Sequence, residues 1–242
     1  MKLSLRTLAA ILVALSVSGC AHSGSPGDHG AGAATAPVTG GDALATLKAG
    51  NERFVSGRPL APATDAETLR VAAEKGQHPF ATVLTCSDSR IPVERVFDRG
   101  FGEIFVVRVA GNVTSPHETG SVEFSLYKLH VPLLVVMGHT KCGAVQAACA
   151  GARVTPNIDS FITSIEPAVQ RVRNENPGIS SDELEKLAIQ ENVRQTLRDL
   201  YATSPLIREK VSTGAIQVAG AVIDVSNGRV EWFADVPKPD AK

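Results

Sequence analysis

Ala81-Thr82-Val83-Leu84-Thr85-Cys86-Ser87-Asp88-Ser89-Arg90 and Leu133-Leu134-Val135-Val136-Met137-Gly138-His139-Thr140-Lys141-Cys142-Gly143 are the two stretches around which the chain is organised. Each opens with a run of β-branched and apolar residues and closes in polar ones, the pattern of a buried strand that delivers its C-terminal end to a surface. Two strand ends of one parallel sheet can converge on one point, and in open α/β sheets that carboxyl edge is where ligands bind. Together the ends offer Cys86, Cys142, His139 and Asp88, donor types that suit a tetrahedral zinc ion. Cys86 and Asp88 are two positions apart, and His139 and Cys142 three apart on a strand-to-helix turn. Short ligand pairs brought from separate parts of a chain are how zinc sites are assembled. A redox or nucleophilic cysteine is the competing reading of the same residues.

Working outward, residues 104–108 and 216–224 read as further buried strands, and 229–233 as the second arm of a hairpin turned by Asn227-Gly228. Between them lie helical patterns: 42–57 capped by Asp42, 65–75 capped by Asp65, a short turn after Pro92, 117–130, 142–150, 158–174, 182–201 with Ser181-Asp182 and Glu185 at its start, and 206–211. Strands separated by helices imply right-handed crossovers, so the expected class is α/β with a mainly parallel central β-sheet flanked by helices.

The chain has 242 residues and neither an internal repeat nor a midpoint linker, so it reads as one domain with its appendages. A formal net charge of −1 gives no electrostatic case for a nucleic-acid partner. The N-terminus departs from the rest. Residues 1–19 read as a signal peptide, with Lys2 and Arg6 ahead of the apolar run 8–17. Val17-Ser18-Gly19-Cys20 resembles a bacterial lipobox, which would make Cys20 the lipidated residue; an ordinary signal with an incidental cysteine is the alternative. Ala21, where Asp is absent, resembles the lipoproteins sorted to an outer membrane. The expectation is an exported, periplasmic protein that meets the membrane through its lipid anchor only. Residues 20–41, rich in Gly, Ala, Ser and Pro, read as the lipidated cysteine and a flexible tether, and 42–242 as the folded domain. With Cys20 so used, Cys86, Cys142 and Cys149 form an odd set that argues against a disulfide framework. Cys149 reads as a small buried apolar residue.

Cys-Ser-Asp-Ser-Arg at 86–90 and Gly-His-Thr-Lys-Cys-Gly at 138–143 resemble the two signature motifs of the β-class carbonic anhydrases, and the similarity extends from about Asp42 to Phe233. The resemblance implies one Zn2+ per subunit held by Cys86, His139 and Cys142, and an Asp88-Arg90 dyad. It implies reversible hydration of CO2 to bicarbonate and a proton, by attack of zinc-bound hydroxide that Asp88 orients while Arg90 holds Asp88. Were Arg90 to let go, Asp88 could become the fourth metal ligand and close the site. Two thiolates and a neutral imidazole leave zinc with little net charge, so its water is acidified less strongly than over three histidines.

For the substrate, the resemblance implies apolar walls from Val83, Ile91, Phe105 and Phe124, with Gln77 and Gly143 as further contacts. Gln77-His78-Pro79 and Phe105 look like the plant-type subgroup, whereas Phe124 stands where that subgroup has tyrosine. Val83 occupies the position of a tryptophan that builds an inhibitory bicarbonate site in another subgroup, so no such site is expected here. Arg108 is followed by Val109 rather than the family's asparagine, and reads either as a binding residue or as a structural one. Family members are dimers or tetramers, so a homodimer or homotetramer is expected, with the helix from Asp42 a candidate arm between subunits. Activity on carbonyl sulfide or carbon disulfide, or a non-catalytic zinc scaffold, are the alternatives; the dyad argues against a scaffold, since a structural zinc site needs neither residue.

Overall fold

The computed structural model describes residues 39–60 and 62–239; the expected signal segment, Cys20 and the tether as far as residue 38 lie outside the described residues. Five strands, β1 (Ala81–Thr85), β2 (Ile104–Arg108), β3 (Leu133–His139), β4 (Gln217–Ile223) and β5 (Val230–Trp232), form one sheet in the order β2-β1-β3-β4-β5. The first four are parallel and β5 is antiparallel to β4. Among the described residues eight α-helices flank it: α1 (Gly40–Val55), α2 (Ala66–Lys75), α3 (Val93–Val96), α4 (Pro116–Lys128), α5 (Gly143–Cys149), α6 (Pro156–Glu175), α7 (Ser181–Thr203) and α8 (Pro205–Ser212). The α/β class with a mainly parallel sheet is as expected.

Every residue of β1 and β3 is buried, as runs made mostly of β-branched and apolar residues imply for strands covered on both faces. The register pairs Thr85 with Met137, and the Thr85 hydroxyl donates to the Met137 carbonyl at 2.8 Å. Cys86 therefore leaves β1 beside Gly138 and His139 at the end of β3. β2 is an edge strand and only partly buried.

Several element starts differ from the sequence reading because a hydroxyl just upstream captures the free N–H groups first. Thr39, not Asp42, caps α1, and Asp42 sits in its first turn. The helix thus begins at Gly40, inside the segment expected to be tether. Ser180, rather than Ser181 or Asp182, caps α7, leaving Glu185 to accept from Gln146 Nε2 at 3.1 Å. α4 starts at Pro116 under a capping box of Ser115 and Glu118, and α6 at Pro156 under Thr155. Asp65 caps α2 as expected. The β4–β5 turn is wider than a two-residue Asn227-Gly228 hairpin: Asp224 gathers Ser226 N, Ser226 Oγ and Asn227 Nδ2, and only Gly228 takes a positive φ, of 77°.

α1 is not a free arm. Ala43 and Leu47 are fully buried, and the helix packs on α3, β1, β3 and β4 of its own chain. Its anchor is Asn51, whose Nδ2 donates to the carbonyls of Val96 (3.1 Å) and Gly228 (2.8 Å) while Oδ1 accepts from Val230 N (2.9 Å). Substituting Asn51→Leu leaves those buried backbone groups without partners, and the expected loss is about 2 kcal/mol of stability. A lowered urea midpoint with unchanged slope checks this; an unchanged midpoint refutes it.

Candidate metal centre

The sheet brings two loops together. Cys86 follows β1 directly; His139 ends β3; Cys142 is the N-cap residue just before α5, after Lys141 in a left-handed conformation (φ 56°) has turned the chain. The two sulfurs and an imidazole nitrogen lie within 4.8 Å of one another, and all three residues are buried. A tetrahedral zinc with its usual bond lengths needs ligand atoms ~3.5–3.8 Å apart, so the group is close to that size.

His139 is fully buried, and its Nδ1 lies 2.9 Å from the Thr140 carbonyl. Nδ1 is therefore the protonated nitrogen, which leaves the Nε2 lone pair facing the two sulfurs. That Nε2 is a buried polar atom with no hydrogen-bond partner. A buried acceptor in such a position costs free energy unless something fills its lone pair, and a soft cation between two thiolates does so. The hydrogen bond between the two thiols lowers the Cys86 pKa against the effect of its burial, whereas at Cys142 that hydrogen bond and burial both push the thiol up. At His139, burial opposes the imidazolium, but the neighbouring Cys86 sulfur more than offsets it and holds the pKa up. These protons are what an entering cation displaces.

Asp88 is held beside this group and is not part of it. Its Oδ1 accepts from Arg90 Nε (2.9 Å) and Arg90 N (2.9 Å), and its Oδ2 from Arg90 Nη2 (2.7 Å), while Oδ2 lies 4.0 Å from His139 Nε2. The Arg90 bonds hold the Asp88 carboxyl far below the usual carboxylate range. Arg90 Nη2 also reaches the Lys141 carbonyl at 3.2 Å, joining the two loops.

Arg108, left open between binding and structure, clamps the first loop: Nε donates to Cys86 O (3.1 Å) and Nη2 to Asp88 O (2.6 Å). The Gly111 N–H points at Cys86 Sγ, 3.3 Å away. Neither contact was foreseen. A glycine just after a strand that ends near the first motif was the available signal.

The residues expected around substrate lie in different settings within the one chain. Val83 and Ile91 are fully buried in the core. Phe105 and Phe124 pair, ring centroids 6.2 Å apart, at the β2 edge, where Phe124 is 49% exposed. Gln77 and Gly143 are exposed. Cys149 is half-buried and burial pushes its thiol up, as suits a packing residue.

Residues 81–230 match the sequence profile of the family described as carbonic anhydrase. Over 188 residues the chain is 38% identical to carbonic anhydrase 2 of Mycobacterium tuberculosis, across 76% of this chain and 87% of that protein. Its fold is similar to a β-carbonic anhydrase of Aspergillus fumigatus, with a TM-score of 0.63 and 28% identity over 80% of this chain and 90% of the other. It is similar also to a tetrameric β-carbonic anhydrase of Sordaria macrospora, with a TM-score of 0.64 and 25% identity over 70% and 88%.

Proposed function

The chain belongs to the β-class carbonic anhydrases, lyases that hydrate CO2, and from that premise we propose that Cys86, His139 and Cys142 hold one Zn2+ per subunit while Asp88 and Arg90 orient the nucleophile. The observation that carries the metal assignment is the buried, unpartnered His139 Nε2 aimed between two buried thiols. When bound, zinc supplies Lewis acidity that brings a water pKa from ~15.7 towards neutrality, making a hydroxide nucleophile available.

This chain's residues do the rest. Asp88 Oδ2, 4.0 Å from His139 Nε2, is placed to accept a hydrogen bond from the attacking hydroxyl, so that the lone pair left free faces the CO2 carbon. An ionised Asp88 cannot donate, which selects hydroxide over an oxygen with no proton to give. Arg90 keeps the carboxylate turned this way with a bidentate pair, and Arg108 fixes the backbone on both sides of Ser87. Release of Arg90 would free Asp88 to act as a fourth metal ligand, an off state of the same site. The test is zinc content together with stopped-flow CO2 hydration. Hydration in the zinc-loaded protein is expected, and a zinc-replete protein inactive up to ~pH 9 would overturn the reading.

The apolar surface at the β2 edge supports a homodimer or homotetramer. Phe124 (49% exposed) and Tyr127 (67% exposed) lie on α4, which packs on β2, an edge strand whose Phe105 and Val106 are half-buried. An unpaired edge beside exposed aromatics is a surface that a second copy covers. Phe124→Asp is expected to weaken self-association at least ~30-fold, a loss of about 2 kcal/mol. Sedimentation velocity reads it, and an unchanged oligomer means that this face is not the interface.

We propose further that residues 1–19 are a signal peptide, that Cys20 carries lipid, and that a tether joins it to a periplasmic domain anchored to the membrane, the outer one favoured. Labelled palmitate should enter the wild-type chain in bacteria and not Cys20→Ser. Equal labelling of the two would refute the anchor.

A further inference from the structure

We propose that Asn192 is a positioning residue for the metal centre: by fastening the Gly111 carbonyl it holds that residue's backbone so that the N–H on the other side of its Cα stays aimed at Cys86 Sγ, and so sets how strongly this thiolate donates to the ion. The inference rests on the zinc reading above and concerns the chain's own residues behind the ligand. Asn192 lies on α7, 1% exposed, in a stripe with Ala188, Ile189, Val193 and Leu197, all buried. A carboxamide is expensive there, and its Oδ1 has no partner. Its Nδ2, by contrast, donates to the Gly111 carbonyl at 2.7 Å. One turn further, Thr196 Oγ1 donates to the Asn112 carbonyl at 3.0 Å, so α7 grips two successive peptides.

Gly111 has φ 70° and ψ 16°, a left-handed conformation that turns its N–H towards Cys86. A Cβ there would lie 2.7 Å from Ile165 Cδ1 and 3.1 Å from Ala144 Cβ, so the Gly111 Cα that joins the tied carbonyl to the donating N–H is wedged between helices and cannot readily swivel. Hydrogen bonds to a metal-bound sulfur withdraw electron density from it, as they do at iron–sulfur centres. In a site with two thiolates, whose donation quenches the charge of the ion, withdrawal from one of them restores acidity. Asn192 acts on this only through Gly111.

Cobalt(II), which takes the same donors and absorbs through sulfur-to-metal charge transfer, is the probe. Wild type, Asn192→Leu, Asn192→Ser and Thr196→Val are titrated with cobalt, recording the near-ultraviolet charge-transfer band and the affinity against a chelator. Both Asn192 variants should move the band to longer wavelength, because a thiolate without its N–H bond is easier to oxidise, and, since the Cys86 ligand is then less well held in place, should weaken binding ~10–100-fold in spite of the stronger donation. Thr196→Val, which loses a neighbouring bond of the same helix to the same segment, should leave the band in place. The serine variant removes atoms without adding any, so it keeps the fold should leucine not. An unmoved band in a folded Asn192 variant, or an equal shift in Thr196→Val, overturns the proposal. A wild-type chain that binds no cobalt fails the metal reading instead.

Discussion

His139→Ala is expected to lose both zinc and CO2 hydration, with kcat/KM falling at least ~10³-fold, or about 4 kcal/mol of transition-state stabilisation. The imidazole supplies one of only three donors in the buried group, and the other two are thiols whose pKa values are pulled in opposite directions by their own contact. With Nε2 gone, a cation would have to hold both sulfurs as thiolates with a neutral ligand missing, in a site that burial already makes hostile to thiolates. The fold should survive the change, because β3 is paired by β4 along its whole length, His139 included, and by β1 over Leu134–Met137. A cavity the size of an imidazole costs about 2–4 kcal/mol, which lowers the melting temperature without unfolding the chain. Metal analysis of the purified variant, with near-ultraviolet circular dichroism to verify folding, decides the matter. A folded His139→Ala protein with wild-type zinc content would show that the ion is elsewhere.

Asp88→Asn should keep its zinc and lose about 10²-fold in kcat/KM, roughly 2.7 kcal/mol. Arg90 presents its main-chain N–H, Nε and Nη2 to the carboxylate. An asparagine can satisfy the donors on one oxygen, but its own NH2 then faces Arg90 Nη2, and the side chain turns. The pH dependence has a definite sign. Arg90 depresses the Asp88 pKa, so the group is already an anion well below the ordinary aspartate value of ~3.9 and stays one as pH rises. Nothing titrates at Asp88 between ~pH 6 and ~pH 9, and the ratio of wild-type to variant activity should be flat across that interval. A ratio that shrinks towards pH 6 would mean that Asp88 takes up a proton there. The same linkage makes the Asp88-Arg90 pair a stabilising contact at neutral pH that is lost as the pH falls below the ordinary aspartate value and through the depressed pKa. Its half-exposed arginine keeps that contribution small.

How far the chain could be read before folding differs from one residue to the next. The limits of β1 and β2, at Ala81–Thr85 and Ile104–Arg108, were legible because a buried parallel strand is written as an apolar run broken by polar residues. Helix starts were legible to within a few residues. Thr39, Thr155 and Ser180 were missed because any hydroxyl near a helix start can cap it, and the one that does is decided by where the chain enters. Asn51 and Asn192 were missed for another reason. Each is a polar residue in an otherwise apolar stripe, visible as a break in the pattern but silent about its partners: Asn51 meets Gly228 across 177 positions, and Asn192 meets Gly111 across 81. Arg108 shows the same ambiguity, since a cation after an edge strand can bind a ligand or clamp a loop, and only the carbonyls of Cys86 and Asp88 at its tip distinguish them.

The sequence by itself determined the strand-helix alternation, the donor types at the ends of β1 and β3 and the adjacency of Asp88 and Arg90, because each of these is a matter of residue chemistry and short spacing. Tertiary structure alone decided that the Cys86 and Cys142 sulfurs and a nitrogen of His139 share a buried volume, that α1 covers its own sheet, and that Gly111 and Asn192 stand behind Cys86. Those outcomes depend on pairing register and helix packing between segments far apart in the chain, and the free energy that selects them is a sum over many buried contacts that no local pattern carries.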